Sequence, residues 1–307
     1  MFGVLIKAFS LMLVIGIGIF LNSTGRIHKE AGHVIRWLTL NLTLPAAVIV
    51  NFSELDGMGG WMLLILFMAI LINILMITVG AFMSRKREPG DRAMFMLCTP
   101  SYNIGCFCLP FVQSFLPALG IAAACMFDVG NSIMCTGCTY AFTSEYVHRT
   151  GKGFDVQAIV RKLLHSTPLV TYVVMSIIVM LHIEVPDVVV TLVTPFANAN
   201  TFCAMLMIGL LFHLEWKKEY IGDILKVVGL RQIGSVIFAL IIYFVLPVSL
   251  VVRQALVLVV FSPISAVASA FTDMSGGNEG KASAATSFTI ILSLIEMTLL
   301  LVILGLY

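Results

Sequence analysis

Apolar segments long enough to cross a bilayer make up almost the whole chain. A membrane-spanning helix needs about 20 mostly apolar residues. Ten stretches qualify: 3–22, 32–52, 61–84, 93–116, 120–146, 163–181, 188–213, 227–247, 253–273 and 283–305. The connections between them are short, the longest being the polar runs Glu145–Lys162 and Glu215–Lys226. Of the 307 residues, 60% are hydrophobic and only 11% charged, where a soluble domain carries about 25%. Most of the surface must therefore face lipid, and no stretch is polar enough for a soluble domain. No basic tail or acidic block is present, so nucleic acid is not an expected partner.

Lys and Arg are retained on the cytoplasmic side of a membrane protein, and here they alternate. Connection one with its flank holds Arg26, Lys29 and Arg36, and connection three holds Arg85, Lys86, Arg87 and Arg92. Connection five holds Arg149, Lys152, Arg161 and Lys162. Connection seven holds Lys217, Lys218, Lys226 and Arg231, and connection nine Lys281. That is 16 of the 18 basic residues, leaving Lys7 and Arg253. Of the intervening connections, two and six carry acids (Glu54, Asp56, Glu184, Asp187) and no Lys or Arg, four carries no charge, and eight carries only Arg253. The pattern places both termini outside the cell's inner (plasma) membrane. The first segment also permits a cleaved signal peptide, but no small-x-small site follows Phe20, so it is read as a span.

The two halves share their punctuation. Pro45 of NLTLPAAVIVNF and Pro195 of TLVTPFANANTF lie 150 residues apart, and Pro263 follows Pro100 and Pro110 by 163 and 153. Five spans per half force opposite orientations. Interrupted helices in matching positions of inverted repeats are the best sequence pointer to a transporter's binding site.

Candidate site residues follow from that logic. In TPSYNIGCFCLPF, Pro110 removes a backbone donor and Gly105 relaxes the turn, while Asn103 adds a side chain that donates and accepts. Opened backbone at membrane depth must line a cavity or be buried in protein, and the freed amides suit an anion. A simple proline kink is the plainer reading. VVFSPISAVASAF repeats the pattern with Ser262, Pro263, Ser265 and Ser269. Asp128 in CMFDVGNSIM is a mid-span acid whose burial costs several kcal/mol; it suits proton coupling or, with Asn131, coordination of Na⁺. A structural hydrogen bond is its plainer role. Glu296 is a weaker candidate. Lys7 is read as snorkelling, and His165, His182 and His213 as interfacial. Asn41, Asn51, Asn198 and Asn200 are inter-helix hydrogen bonders. Cys135 and Cys138 form a C-x-x-C, a redox or metal pattern, but they read more simply as small packing residues among seven cysteines in apolar runs. No P-loop, G-x-S-x-G or H-E-x-x-H occurs, so neither an enzyme nor an ATP-driven pump is expected.

Six motifs in order resemble the auxin efflux carrier family in its prokaryotic, malate-permease-like branch. They are LPAAVIVNF, NIGCFCLPF, FDVGN, TPFANANTFCAMLMIGLLF, FSPISAVASAF and KASAATSFTIILSLIEMTLL. The resemblance implies an all-α fold of ten transmembrane helices in two inverted five-helix repeats. Helices four and nine are broken and crossed, as in sodium/proton antiporters and bile-acid symporters. It implies scaffold helices in 1–60 and 163–214, transport-domain helices in 61–146 and 215–307, and a cytoplasmic linker at 147–162. The scaffold would also serve a homodimer. Substrate would meet Asn103, Gly105, Pro110, Ser262, Pro263 and Ser265, with Asp128 and Asn131 coupling H⁺ or Na⁺, and no cofactor beyond that ion. Cys106 and Cys108 depart from the smaller residues usual at the crossover, and no Arg or Lys is expected beside it. Secondary transport of a small organic anion by an elevator movement leads. A cation/proton antiporter on the same fold is the alternative, and a membrane receptor is disfavoured by the short loops.

Overall fold

The computed structural model describes residues 2–27, 30–55, 59–148, 156–212 and 217–306. Lys29, Asp56, Arg149, Lys152 and His213, which entered the reading of orientation and interfaces, lie outside these residues. Among the described residues all regular structure is helical. The helices are α1 (Phe2–Ser23), α2 (Ala31–Ser53), α3 (Trp61–Ser84), α4 (Pro89–Cys98), α5 (Ile104–Phe115), α6 (Ala118–His148) and α7 (Val156–Leu164). They continue with α8 (Thr167–Met180), α9 (Asp187–Leu210), α10 (Lys218–Val245), α11 (Leu250–Val260), α12 (Ala266–Met274) and α13 (Glu279–Ile303).

Seven of these, α1, α2, α3, α6, α9, α10 and α13, are long and apolar enough to cross a membrane. Helices are the expected outcome for such segments, because lipid offers no partner for backbone N–H and C=O groups. Large apolar side chains point outward on many of them: Phe9 is 64% exposed, Leu192 68% and Phe244 72%. In water such a surface would aggregate; against acyl chains it is the natural coat. The protein is a multi-pass α-helical membrane protein.

Prolines shape the helices locally. Pro45 and Pro110 each follow a wider π-helical turn, Thr39–Thr43 and Ile104–Cys108. An extra residue in the turn makes room for a ring that lacks an N–H and clashes with the preceding turn. A third wide turn, Met134–Cys138, divides α6.

Packing sorts the helices into two groups. In one, α1 and α2 both lie on α9, and α8 lies on α2. At the α1–α9 crossing, a Cβ added to Gly18 would fall 2.8 Å from Gly209 Cα, so only glycines allow that approach. The other group packs α3 on α4 and α6, α6 on α11, α10 on α11 and α13, and α12 on α4 and α13. The groups meet where α9 and α1 touch α5, and where α2 and α8 touch α6.

Three boundaries differ from the sequence reading. The apolar stretch from 163 begins as a span only at Thr167, since Val156–Leu164 is a separate short helix. α10 starts at Lys218, so most of the expected loop Glu215–Lys226 is helix. The 93–116 and 253–273 stretches are each two helices, parted at residues 99–103 and 261–265. The first break falls at Pro100, whereas Pro110 sits inside α5.

Candidate functional site

The two breaks meet inside the second helix group. Proline carries no N–H to continue a helical ladder, and α4 and α11 end at Cys98 and Val260, just before Pro100 and Pro263. Asn103 N–H then donates to Pro263 O at 2.8 Å, and Ser265 N–H to Ser101 Oγ at 3.2 Å. Ile264 N–H is taken by Thr289 Oγ1 at 3.0 Å. Each break thus satisfies its neighbour's backbone, as buried polar groups require.

The carbonyls left over at these helix ends are gathered by Arg231 of α10. Its Nη1 donates to Cys98 O, Thr99 O and Ser101 O at 3.2, 2.9 and 2.5 Å, and its Nη2 to Ser262 O at 2.8 Å. The guanidinium also lies over the Tyr102 ring, 4.8 Å from its centre. It is 3% exposed, and its charge offsets the negative ends of two helix dipoles. The expectation that no Arg stands near the crossover is therefore corrected. The basic alternation by itself assigns Arg231 to connection seven. It lies four residues inside the 227–247 apolar stretch, where the logic applied to Asp128 would have found it.

Asp128 sits beneath the first break and is 6% exposed. Asn131 Nδ2 donates to Asp128 Oδ1 at 3.1 Å and to Tyr102 O at 2.9 Å. Gly105 leaves room for the carboxyl, because a Cβ there would stand 3.2 Å from Asp128 Oδ2 and 3.4 Å from the Tyr172 hydroxyl. Tyr172, from α8 in the other helix group, is fully buried. Its presence had no signal in the sequence. Asn131 presents its donor to the carboxylate, and its Oδ1 accepts from Cys135 Sγ at 3.2 Å.

Two cavities flank this centre. One of about 140 Å³ is lined by Asp128, Asn131, Gly105 and Tyr172. The other, of about 110 Å³, is lined by Ser269, Ser283 and Thr286. Both share Arg36, Asn103, Cys106 and Ser265. They lie at the end of the bundle where α2 and α8 begin and α9 finishes, as the lining residues Arg36, Ser166 and Leu211 mark.

Of the expected site residues, Asn103, Gly105, Ser265, Asp128 and Asn131 line these cavities. Pro263 and Ser262 act through their backbone oxygens. Pro110 lines neither cavity; its carbonyl takes Ser114 Oγ at 3.0 Å. Asn200 bridges helices, accepting from Thr43 Oγ1 at 3.0 Å and donating to Gln113 Oε1 at 2.8 Å. Asn41 Oδ1 accepts from Thr167 Oγ1 at 2.7 Å, while Asn51, among the described residues, bonds only Ala47 O of its own helix and so does not join helices as expected. Glu296 accepts from Gln232 Nε2 at 3.1 Å, away from both cavities. The thiols of Cys135 and Cys138 are free, and among the described residues no group of three His, Cys, Asp or Glu side chains is placed to hold a metal.

No protein-family model matches the chain, and no curated protein matches it.

Proposed function

We propose that the protein is a secondary transporter of a small organic anion, a carrier of the auxin efflux type that works by elevator-like alternating access. The observation that carries the reading is the Asn103–Pro263 crossing of two interrupted helices, with Asp128 and two cavities beside it. In this reading α4 with α5, and α11 with α12, are each one broken span. With α8 as a short span, the total is ten in two inverted halves. The α1, α2, α8 and α9 group is the scaffold, and the remaining bundle moves against it. The cavities open at the end where the basic connections lie, which is an inward-facing arrangement by the charge rule.

The chemistry favours an anion over a metal cation. Broken helices offer amide donors at the N-terminal ends of α5 and α12, whereas the acceptor carbonyls are already occupied by Arg231. Asp128 is then the coupling group, taking up a proton or holding a cation as the bundle moves. A second reading is a cation/proton antiporter, and the 3.1 Å pairing of Asn131 with Asp128 favours it, since such an Asp–Asn pair suits an ion site. Uptake of labelled carboxylates into proteoliposomes separates the two, with a pH gradient, a Na⁺ gradient or neither. Saturable uptake that responds to one gradient, and that is lost in Asp128→Asn and Pro263→Ala, is expected. Unchanged flux in both variants sinks the mechanism; cation-driven proton movement without any carboxylate selects the antiporter.

A further inference from the structure

Arg36 belongs to α2, in the helix group opposite the crossing, yet it lines both cavities. It is half-buried, shares the walls of both cavities with Cys106, and its guanidinium makes no hydrogen bond or ion pair with the described residues. A partly desolvated guanidinium is unusual without a partner, because burial of a charge is compensated in almost every folded protein. Arg231 cannot substitute for it, since it lines neither cavity and its guanidinium is held on four backbone oxygens. Arg36 is thus the one cation among the lining residues of the two cavities, and Asp128 the one acid.

The surroundings of Arg36 differ on its two sides. The smaller cavity holds no acid and is rich in hydroxyls, with Ser265, Ser269, Ser283 and Thr286 on its wall. The larger one contains Asp128. The geometry points to a single carboxylate held by Arg36, with Asn103 and Ser265 alongside, and a hydroxylated remainder seated in the smaller cavity. This rests on the transporter reading and sharpens its substrate class to hydroxylated monocarboxylates. A guanidinium binds one carboxylate through two parallel hydrogen bonds. A second carboxylate would meet no cation, and the neighbouring Asp128 would repel it. Dicarboxylates such as malate are accordingly poor ligands in their doubly charged form. Because Arg36 stands on the scaffold, it grips the substrate only when the moving bundle brings Asn103 and Ser265 against it.

Binding and transport are measured separately on the full chain. Thermal unfolding of detergent-solubilised protein is followed with glycerate, lactate, propionate, malate or succinate added, and uptake of the same labelled compounds is followed in proteoliposomes. Glycerate and lactate are expected to stabilise the protein at concentrations at least about tenfold below malate, with propionate weaker than lactate. Arg36→Gln is expected to raise the concentration needed by about tenfold to a hundredfold, the range for hydrogen bonds to a charged group. It should leave the unliganded melting point unchanged, and Arg36→Lys should restore part of the affinity. Loss of binding in Arg36→Gln supports the inference even if no carboxylate is transported, in which case only the transporter reading falls. Equal binding by Arg36→Gln and the parent, or a preference for malate over lactate, overturns the inference while leaving transport standing. Failure of all five probes to bind the parent overturns it as well.

Discussion

Replacing Arg231 with methionine tests whether the crossing is held from α10. The substitution keeps the length and apolar stem of the side chain and removes the donors to Cys98 O, Thr99 O, Ser101 O and Ser262 O. No backbone amide among the described residues takes these oxygens instead. A hydrogen bond between membrane helices averages about 0.6 kcal/mol, so four represent roughly 2 kcal/mol at the low end. With a charged donor at about 1.5 kcal/mol each, they represent roughly 6 kcal/mol. Removing the guanidinium also relieves its own desolvation penalty, which brings the expected net loss to about 2–4 kcal/mol. At about 2 °C or more per kcal/mol for a chain of this size, the midpoint of thermal unfolding in detergent should fall by roughly 4–10 °C. Lys226 is exposed on the same helix, and Lys226→Met should move the midpoint by less than about 2 °C. Arg231→Lys should fall in between, since a single ammonium has no fork to reach oxygens on both breaks. An Arg231→Met midpoint indistinguishable from that of Lys226→Met would refute the reasoning, because the carbonyls would then be satisfied without the guanidinium.

Three further substitutions probe the site and its supports. Gly105→Ala places a methyl 3.2 Å from Asp128 Oδ2, so uptake should fall several-fold while the melting point moves by less than the Arg231→Met change; full activity would mean the carboxyl has room to move. Gly130→Ala puts a Cβ 2.9 Å from Ala69 Cβ and against the Leu66 carbonyl of α3, which should destabilise by about 1–3 kcal/mol in the same unfolding assay. Lys281 bridges Asp91 at 2.7 Å and Asp223 at 2.9 Å, joining the starts of α4, α10 and α13; Lys281→Ala should cost about 1 kcal/mol, with the difference from the parent shrinking at 1 M salt.

The succession of apolar segments, read with the proline positions, was enough to establish a helical membrane protein and to point to the segments that break. A helix in lipid is dictated by local chemistry alone, because every span must satisfy its own backbone. Asp128 was legible for a related reason: an acid amid apolar residues is costly wherever it faces, so its presence signals a role. The exact break was less legible. Both Pro100 and Pro110 can interrupt a helix, and only the packed structure shows that a π-helical turn absorbs Pro110 while Pro100 ends α4.

Arg36 and Arg231 show where the sequence alone is ambiguous. Basic residues near span ends serve topology and site chemistry alike, and their position along the chain does not separate the two. Tyr172 and Arg36 reach the centre from α8 and α2, far away in sequence, and nothing local encodes that meeting. Composition and periodicity determine which segments enter the membrane. Which faces converge, and so which charges line the cavities, is decided only when α2 and α8 pack against α6.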